Sequence, residues 1–431
     1  MSTHARPSRL LAAGLLAISS LTVRAAEAPD YSADFDAFCR FVGENYAYFD
    51  LKKTDWGQVC AAYRPRAVAA GDRAGLITVL EQALGQLYDQ HAHLATSTKM
   101  SPRLVPTNAQ LWAEWDGERA MVAEVRPQSA AHRAGLRAGM QVLGINGQPL
   151  SAAVAALAPR FLSAADPQAR AWALQVALAG RQGESSMLLQ VGTGGNQAAV
   201  AREIRYDTAS ASQDGALSFR HIDATIGYIR INNSLGDNAT IGAFDKALDS
   251  LVDSRALVLD LRDTPSGGNS LVARGIMGRL VREGQPYQIH ELIGEARDYG
   301  VRRRWTEYVM PRGVHYGAPV VVLAGRWTGS MGEGIAIGLN AARQAPVLGT
   351  PMARLLGALD ELRLPTSGIT VRLPTEKLFH VDGTPREAFV PCRVAPAGEP
   401  TADAALDAAI ALAKAAGKAP GATLTATCAA D

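Results

Sequence analysis

Basic blocks, metal-binding spacings and long apolar spans are what this chain lacks. Its 43 Lys and Arg stand against 41 Asp and Glu, a formal net charge of +2 over 431 residues. No Lys/Arg run is dense enough to track a phosphate backbone, which excludes nucleic acid as a partner. No Cys-x-x-Cys or His-x-x-x-His spacing occurs, so no metal site is expected. Beyond Val23 no segment approaches the roughly 20 apolar residues that span a bilayer, so no stable membrane insertion is expected. Cysteine is scarce, with Cys39, Cys60, Cys392 and Cys428 near the two ends.

What is present begins with an address. Arg6 and Arg9 precede an apolar run from Leu10 to Val23, followed by Ala25, Ala26 and Ala28 before Pro29. That is secretory signal architecture, so residues 1–28 read as a signal peptide and the mature protein as exported, periplasmic or secreted. An oxidising compartment permits the four cysteines to pair. The shortest loops join Cys39 to Cys60 and Cys392 to Cys428, one of three possible connectivities.

Apolar residues at 48% and charged residues at 19% describe a globular chain long enough for two or three cores. Residues 29–100 read as a small helical domain, with Phe35, Phe38, Phe41 and Val42, then Leu76, Val79, Leu80 and Leu84, in apolar stripes. It closes on a polar segment, Leu87-Tyr-Asp-Gln-His-Ala-His-Leu94. Residues 105–207 form a β-rich unit. Met121 to Val125, Ser129 to Ala134, Ala134-Gly135-Leu136, Gly139 and Val142 to Gly147 together resemble a PDZ domain. Such domains bind extended peptides by adding a strand to a sheet edge. Residues 215–415 alternate apolar strands (Ile226–Ile231, Ala256–Leu261, Pro319–Ala324) with helical patterns, the order of a parallel sheet with crossover helices. Residues 416–431 read as a C-terminal tail.

The chemistry concentrates in two places. Pro319-Val-Val-Val-Leu-Ala324 is apolar throughout, as in a strand covered on both faces, and a helical pattern follows from Gly334 to Ala342. Ser330 stands at their junction, where free helix N–H groups favour a developing anion. Two readings of Ser330 compete: a nucleophile on a strand-to-helix elbow, or the first member of a capping box with Glu333. The second place is Asp260-Leu-Arg-Asp-Thr-Pro-Ser-Gly-Gly-Asn269. There Gly267 or Gly268 could offer a bare amide that, with the amide of Met331, makes an oxyanion hole; a plain strand-to-helix turn is the alternative.

In this order Asp260-Leu-Arg, Gly267-Gly268, Thr328-x-Ser330-x-x-Glu333 and a PDZ-like unit make the chain similar to the tail-specific and tricorn-core superfamily of serine peptidases. The resemblance implies a multidomain α/β and α+β protein whose catalytic core is crotonase-like, with Thr328 and Glu333 supporting the nucleophile. The superfamily activates its serine either with a lysine about twenty-five residues downstream or with an N-proximal histidine backed by a glutamate. Gly349 to Gly357 contains no lysine, the next being Lys377, and Arg354 stays protonated. Leu87-x-Asp89-x-His91-x-x-Leu94 resembles the histidine motif of the tricorn-like branch, and Asp382-Gly383-x-x-x-Glu387 its glutamate segment. The resemblance thus assigns His91 as base and Glu387 as the group that fixes its tautomer, with His93 and His380 as rival bases.

The sequence therefore reads as an exported serine endopeptidase that cleaves peptides or unfolded polypeptides through an acyl-enzyme on Ser330, with no cofactor or metal. A peptide- or ligand-binding protein on the same scaffold, or an esterase, are the competing readings. Oligomeric state is not legible in these residues.

Overall fold

The computed structural model describes Met1 and residues 30–192, 199–206, 215–393 and 403–418. Apart from Met1, the segment expected to be a signal peptide lies outside them, as does the tail beyond Lys418 with Cys428. No helix among the described residues is long and apolar enough to cross a membrane.

Helices α1 (Ser32–Asn45), α2 (Trp56–Val68) and α3 (Arg73–Leu84) open the chain. Asp55 and Asp72 cap α2 and α3 by accepting the N–H groups of Gln58 and Gly75. The apolar stripes expected from the sequence meet here: Phe35, Phe38, Leu76 and Leu80 are fully buried in one core, each such side chain contributing about 1.5–3 kcal/mol. A disulfide joins Cys39 to Cys60 and so ties α1 to α2. Strand β1 (His93–Leu94) then leaves this unit.

The second unit contains β2 (Leu111–Asp116), β3 (Arg119–Val125), α4 (Ala130–Arg133), β4 (Gln141–Ile145), β5 (Gln148–Pro149), α5 (Leu150–Leu157), α6 (Pro167–Ala179), β6 (Ser186–Gly192) and β7 (Val200–Arg205). Its sheet runs β2-β3-β4-β6-β7 with β5 beside β4, antiparallel throughout. Strand β2 is an edge, and α6 lies against it. Gln175 Nε2 donates to the Ala113 carbonyl at 2.5 Å and Trp115 Nε1 to the Arg170 carbonyl at 3.3 Å, with the Arg170 guanidinium over the Trp115 ring. Adding a peptide strand at that edge requires moving α6.

The core follows with β8 (Leu217–Asp223), β9 (Ile226–Ile231), α7 (Ala239–Ser250), β10 (Ala256–Asp260), α8 (Ser270–Met277), β11 (Gln285–Leu292), α9 (Gly294–Tyr299), β12 (Arg303–Val309), β13 (Val320–Ala324), α10 (Met331–Arg343), β14 (Val347–Gly349), β15 (Ala358–Arg363), β16 (Thr370–Phe379) and α11 (Ala404–Lys418). One sheet has the order β14-β13-β10-β9-β8, parallel except for β8. Every residue of β10 and β13 is buried, which is why β13 reads as an unbroken apolar run and β10 as one closed by Asp260. The second sheet, order β1-β16-β11-β12 with β15 beside β16, is antiparallel. Strand β1 of the N-terminal unit pairs with β16, His93 opposite Arg372. That pairing, the Asp34 carboxylate on the Thr366 and Ser367 N–H groups, and an apolar core shared with Ile369, Val371 and Leu373 join the first unit to the core.

Candidate active site

Strand β13 ends at Ala324, and the backbone turns through Gly325–Gly329 into Ser330, with φ 50° and ψ −113°. A non-glycine residue held at positive φ marks a strained elbow. The turn is stapled from beneath by Thr328. Its buried hydroxyl donates to the Leu261 carbonyl and accepts the Gly325 N–H, both at 2.9 Å, while its carbonyl accepts the Ala353 N–H at 3.0 Å. Glu333 reaches back to accept the Ser330 N–H at 2.9 Å. Ser330 is thus both the N-cap of α10 and the residue at the elbow's tip.

The glycine-rich loop lies directly on that tip. A Cβ placed on Gly267, whose φ is +63°, would fall 2.3 Å from the Ser330 Cβ. One on Gly268 would fall 2.1 Å from the Leu235 carbonyl oxygen, and one on Gly332 would fall 2.2 Å from Thr264 Oγ1. Only bare backbone fits these positions. Of the two glycines expected to offer a donor, Gly267 spends its N–H inside the turn, on the Thr264 carbonyl at 3.1 Å. Among the described residues the Gly268 and Met331 N–H groups have no partner, so Gly268 is the donor the loop leaves free.

His91 sits just before β1. Asp89 accepts the His91 N–H at 2.8 Å and the Tyr46 hydroxyl at 2.8 Å, which fixes the turn. The imidazole is 6% exposed, and its Nδ1 lies 2.6 Å from the Leu356 carbonyl. A carbonyl only accepts, so Nδ1 carries the proton and Nε2 keeps its lone pair. Burial, helped by the positive Arg386 and by His93, pulls the His91 pKa down to about 3. Among the described residues no hydrogen bond joins Ser330 to His91. The two are connected instead through the segment Arg354–Gly357, which Glu333 holds on one side and His91 on the other.

Glu387 departs from its expected place. The tautomer of His91 is fixed by the Leu356 carbonyl rather than by the Glu387 carboxylate, whose Oε2 is buried without a partner. Burial raises the Glu387 pKa against the nearby Arg386 and Lys377. The Tyr48 hydroxyl, also buried without a partner, lies close enough to feel Glu387. Glu333 is wholly buried. Its desolvation pushes its pKa up to about 7, although Arg386 and the amides of Arg354, Ser330 and Leu355 all favour its charge.

The rival histidines, like His91, each have Nδ1 engaged, and the His380 Nε2 is buried without a partner among the described residues. His93 Nδ1 lies 2.8 Å from the His91 carbonyl. His380 Nδ1 faces Asp382 Oδ1 at 3.0 Å, and its ring stacks on Phe389. One further histidine escaped the sequence reading. His290 on β11 has Nδ1 2.7 Å from Glu376 and Nε2 3.2 Å from Glu307, with Trp305 stacked on its face. Burial opposes its charge, yet the two carboxylates outweigh it and its pKa is raised. Nδ1 faces Glu376 while Nε2 is shared between Gln288 Nε2 at 3.0 Å and Glu307, so neither ring nitrogen is left for a hydroxyl. Its only sequence signal is a place in a half-buried strand. Among the described residues no cluster of three His, Cys, Asp or Glu side chains is arranged to hold a metal.

Three family patterns match this chain: the tricorn protease C1 domain over residues 28–85, the PDZ domain over 105–159 and peptidase family S41 over 225–391. No curated protein matches the chain. Among solved structures it is similar to mature CPAF, at 15% identity and a TM-score of 0.58, covering 92% of this chain and 99% of that one. The photosystem II D1 C-terminal processing protease is similar at 16% identity and TM-score 0.56, covering 92% and 100%. A putative peptidase from Parabacteroides merdae is similar at 17% identity and TM-score 0.51, covering 89% and 97%. These neighbours share the fold. Ser330, its elbow and the glycine loop all lie inside the S41 match, and the tricorn C1 and PDZ matches precede it in the order the sequence implied. Residues 225–391 match peptidase family S41, and the three matches together make this chain a serine-type peptidase.

Proposed function

We propose that this peptidase is an exported endopeptidase that cleaves peptides or unfolded polypeptides through an acyl-enzyme on Ser330, with His91 as general base. The observation that carries the reading is the strained Ser330 elbow beside two amides, those of Gly268 and Met331, that are unpartnered among the described residues. The Ser330 hydroxyl attacks the scissile carbonyl, and its proton passes to His91 Nε2. The carbonyl oxygen, now an anion, enters the space between the Gly268 and Met331 N–H groups, where a single donor is worth about 3 kcal/mol. Collapse transfers the His91 proton to the leaving amine and breaks the C–N bond. Water, deprotonated by the same nitrogen, then releases the acyl group. Among the described residues Glu387 makes no hydrogen bond to His91, so the Leu356 carbonyl is the group that supports the imidazolium. Because Ser330 and His91 are not bonded at rest, substrate binding completes their alignment. The signal segment and the Cys39–Cys60 disulfide support export to an oxidising compartment.

The test is a fluorophosphonate probe with intact and peptide mass analysis. The probe mass is expected on Ser330, absent in Ser330→Ala and strongly slowed in His91→Ala. Turnover of an unfolded-protein substrate should fall by ~10³-fold or more in Ser330→Ala. Labelling elsewhere, or undiminished turnover in that variant, would refute the assignment. An ester substrate cleaved while every peptide is left intact would move the chemistry to acyl esters.

A further inference from the structure

We infer that Arg386 is a positioning residue that sets His91 relative to Ser330; the inference rests on His91 being the base. Arg386 is 2% exposed and is the largest fully buried side chain of the protein among the described residues. A guanidinium is placed there at a large desolvation cost, so its partners define what it is for. One terminal nitrogen donates to the Leu355 carbonyl at 2.7 Å and to the Gly357 carbonyl at 3.0 Å. The same nitrogen lies 4.0 Å from the Glu333 carboxylate.

Everything Arg386 touches belongs to one short segment or to the carboxylate that grips it. Glu333 accepts the Arg354 N–H at 2.8 Å and the Leu355 N–H at 3.2 Å. Between the two carbonyls that Arg386 holds lies a third, that of Leu356, and this is the one His91 Nδ1 uses. The segment cannot settle elsewhere. Arg354 adopts φ +58° and Gly357 φ +59°, and a Cβ on Gly357 would fall 2.2 Å from the Glu376 carbonyl oxygen. Glu333 also holds the Ser330 N–H. The buried pair therefore clamps a peptide strip whose one edge carries the nucleophile's support and whose other edge carries the base.

Arg386 is hydrogen-bonded to neither Ser330 nor His91; apart from its charge, which helps lower the His91 pKa and is kept in a lysine variant, it acts through the strip. Near-attack geometry is steep enough that a displacement of ~1 Å costs about 10²-fold in rate. Arg386→Lys keeps the charge but is shorter, so its single nitrogen falls short of the two carbonyls that one Arg386 nitrogen reaches. It is expected to lower kcat about tenfold or more with KM changed by less than about twofold.

A non-additivity test separates positioning from loss of fold. In a His91→Ala background the strip no longer carries a base, so adding Arg386→Lys should change the residual kcat/KM by less than about threefold. If Arg386→Lys alone leaves kcat unchanged, or lowers the His91→Ala residue of activity by the same factor as the wild type, the inference is overturned. Should Arg386→Lys not fold, Glu333→Gln/Arg386→Met removes both buried charges together and meets the same criterion. Failure of the underlying reading looks different: His91→Ala itself would keep wild-type turnover and Ser330 labelling.

Discussion

Acid should expose His91 through stability before it does so through activity. In the folded protein the His91 pKa is pulled to about 3 by burial, from an ordinary value of 6.5. Below pH 6.5 the unfolded chain binds a proton at this site that the native protein refuses, so stability falls as pH falls and the loss saturates near pH 3. The two pKa values give a loss on the order of 1 kcal/mol at pH 5.5, rising to roughly 3 kcal/mol at pH 4.5, relative to pH 7.5. Glu333 works in the opposite sense, since its pKa of about 7 makes the native state the better proton binder between about pH 4.5 and 7. The wild-type curve alone therefore hides both groups. Urea unfolding of wild type and His91→Asn, followed from pH 7.5 to 4.5, isolates the first. The variant should gain on the wild type by about those amounts as pH drops. A difference between the two proteins that stays constant with pH would show that His91 is protonated in the folded state and that its burial has been misjudged.

Gly267→Ala places a methyl 2.3 Å from the Ser330 Cβ at φ +63°; the probe should label this variant at least about 10²-fold more slowly than the wild type while the circular dichroism spectrum is retained. His290 runs opposite to His91. With its folded pKa raised, its stabilisation is full below pH 6.5 and is lost as pH rises through the folded value, so the Tm gap between wild type and His290→Gln should narrow from pH 5.5 to 9, and a widening gap would be the contrary result. Because α6 covers the β2 edge through Gln175 and Trp115, a peptide with a free C-terminus and its amidated twin should be cleaved with kcat/KM within about twofold; a tenfold preference for the free carboxylate would show that the edge opens in solution.

The features legible in the sequence are those carried by local pattern. The run Val320–Ala324 is buried residue by residue, the helix after Ser330 follows at once, and Gly267 and Gly268 sit where only bare backbone fits. The stripes of α1 and α3 likewise met the core they implied. Long-range choices were not legible. Nothing in Gly267-Gly268 says which N–H the turn consumes, since that depends on the Thr264 carbonyl folding over the first of them. The partner of His91 is a main-chain carbonyl, and a carbonyl has no residue type to recognise. Arg386 reads as one more surface charge beside Glu387, because its burial is created by strands and helices from distant parts of the chain. The second sheet of the core, β11, β12, β15 and β16, mixes charged and apolar residues on half-covered faces and gives only weak alternation.

The pairing of β1 with β16 has a temporal meaning as well. His91 and the carbonyl that orients it are 265 residues apart in the chain. While the protein is being made, the serine can be folded on its elbow before β1 docks and brings His91 into place. On the proposed assignment, hydrolytic power is the last property the molecule acquires. A chain cut short before Thr370 would be an inert scaffold, unable to attack the machinery that made it.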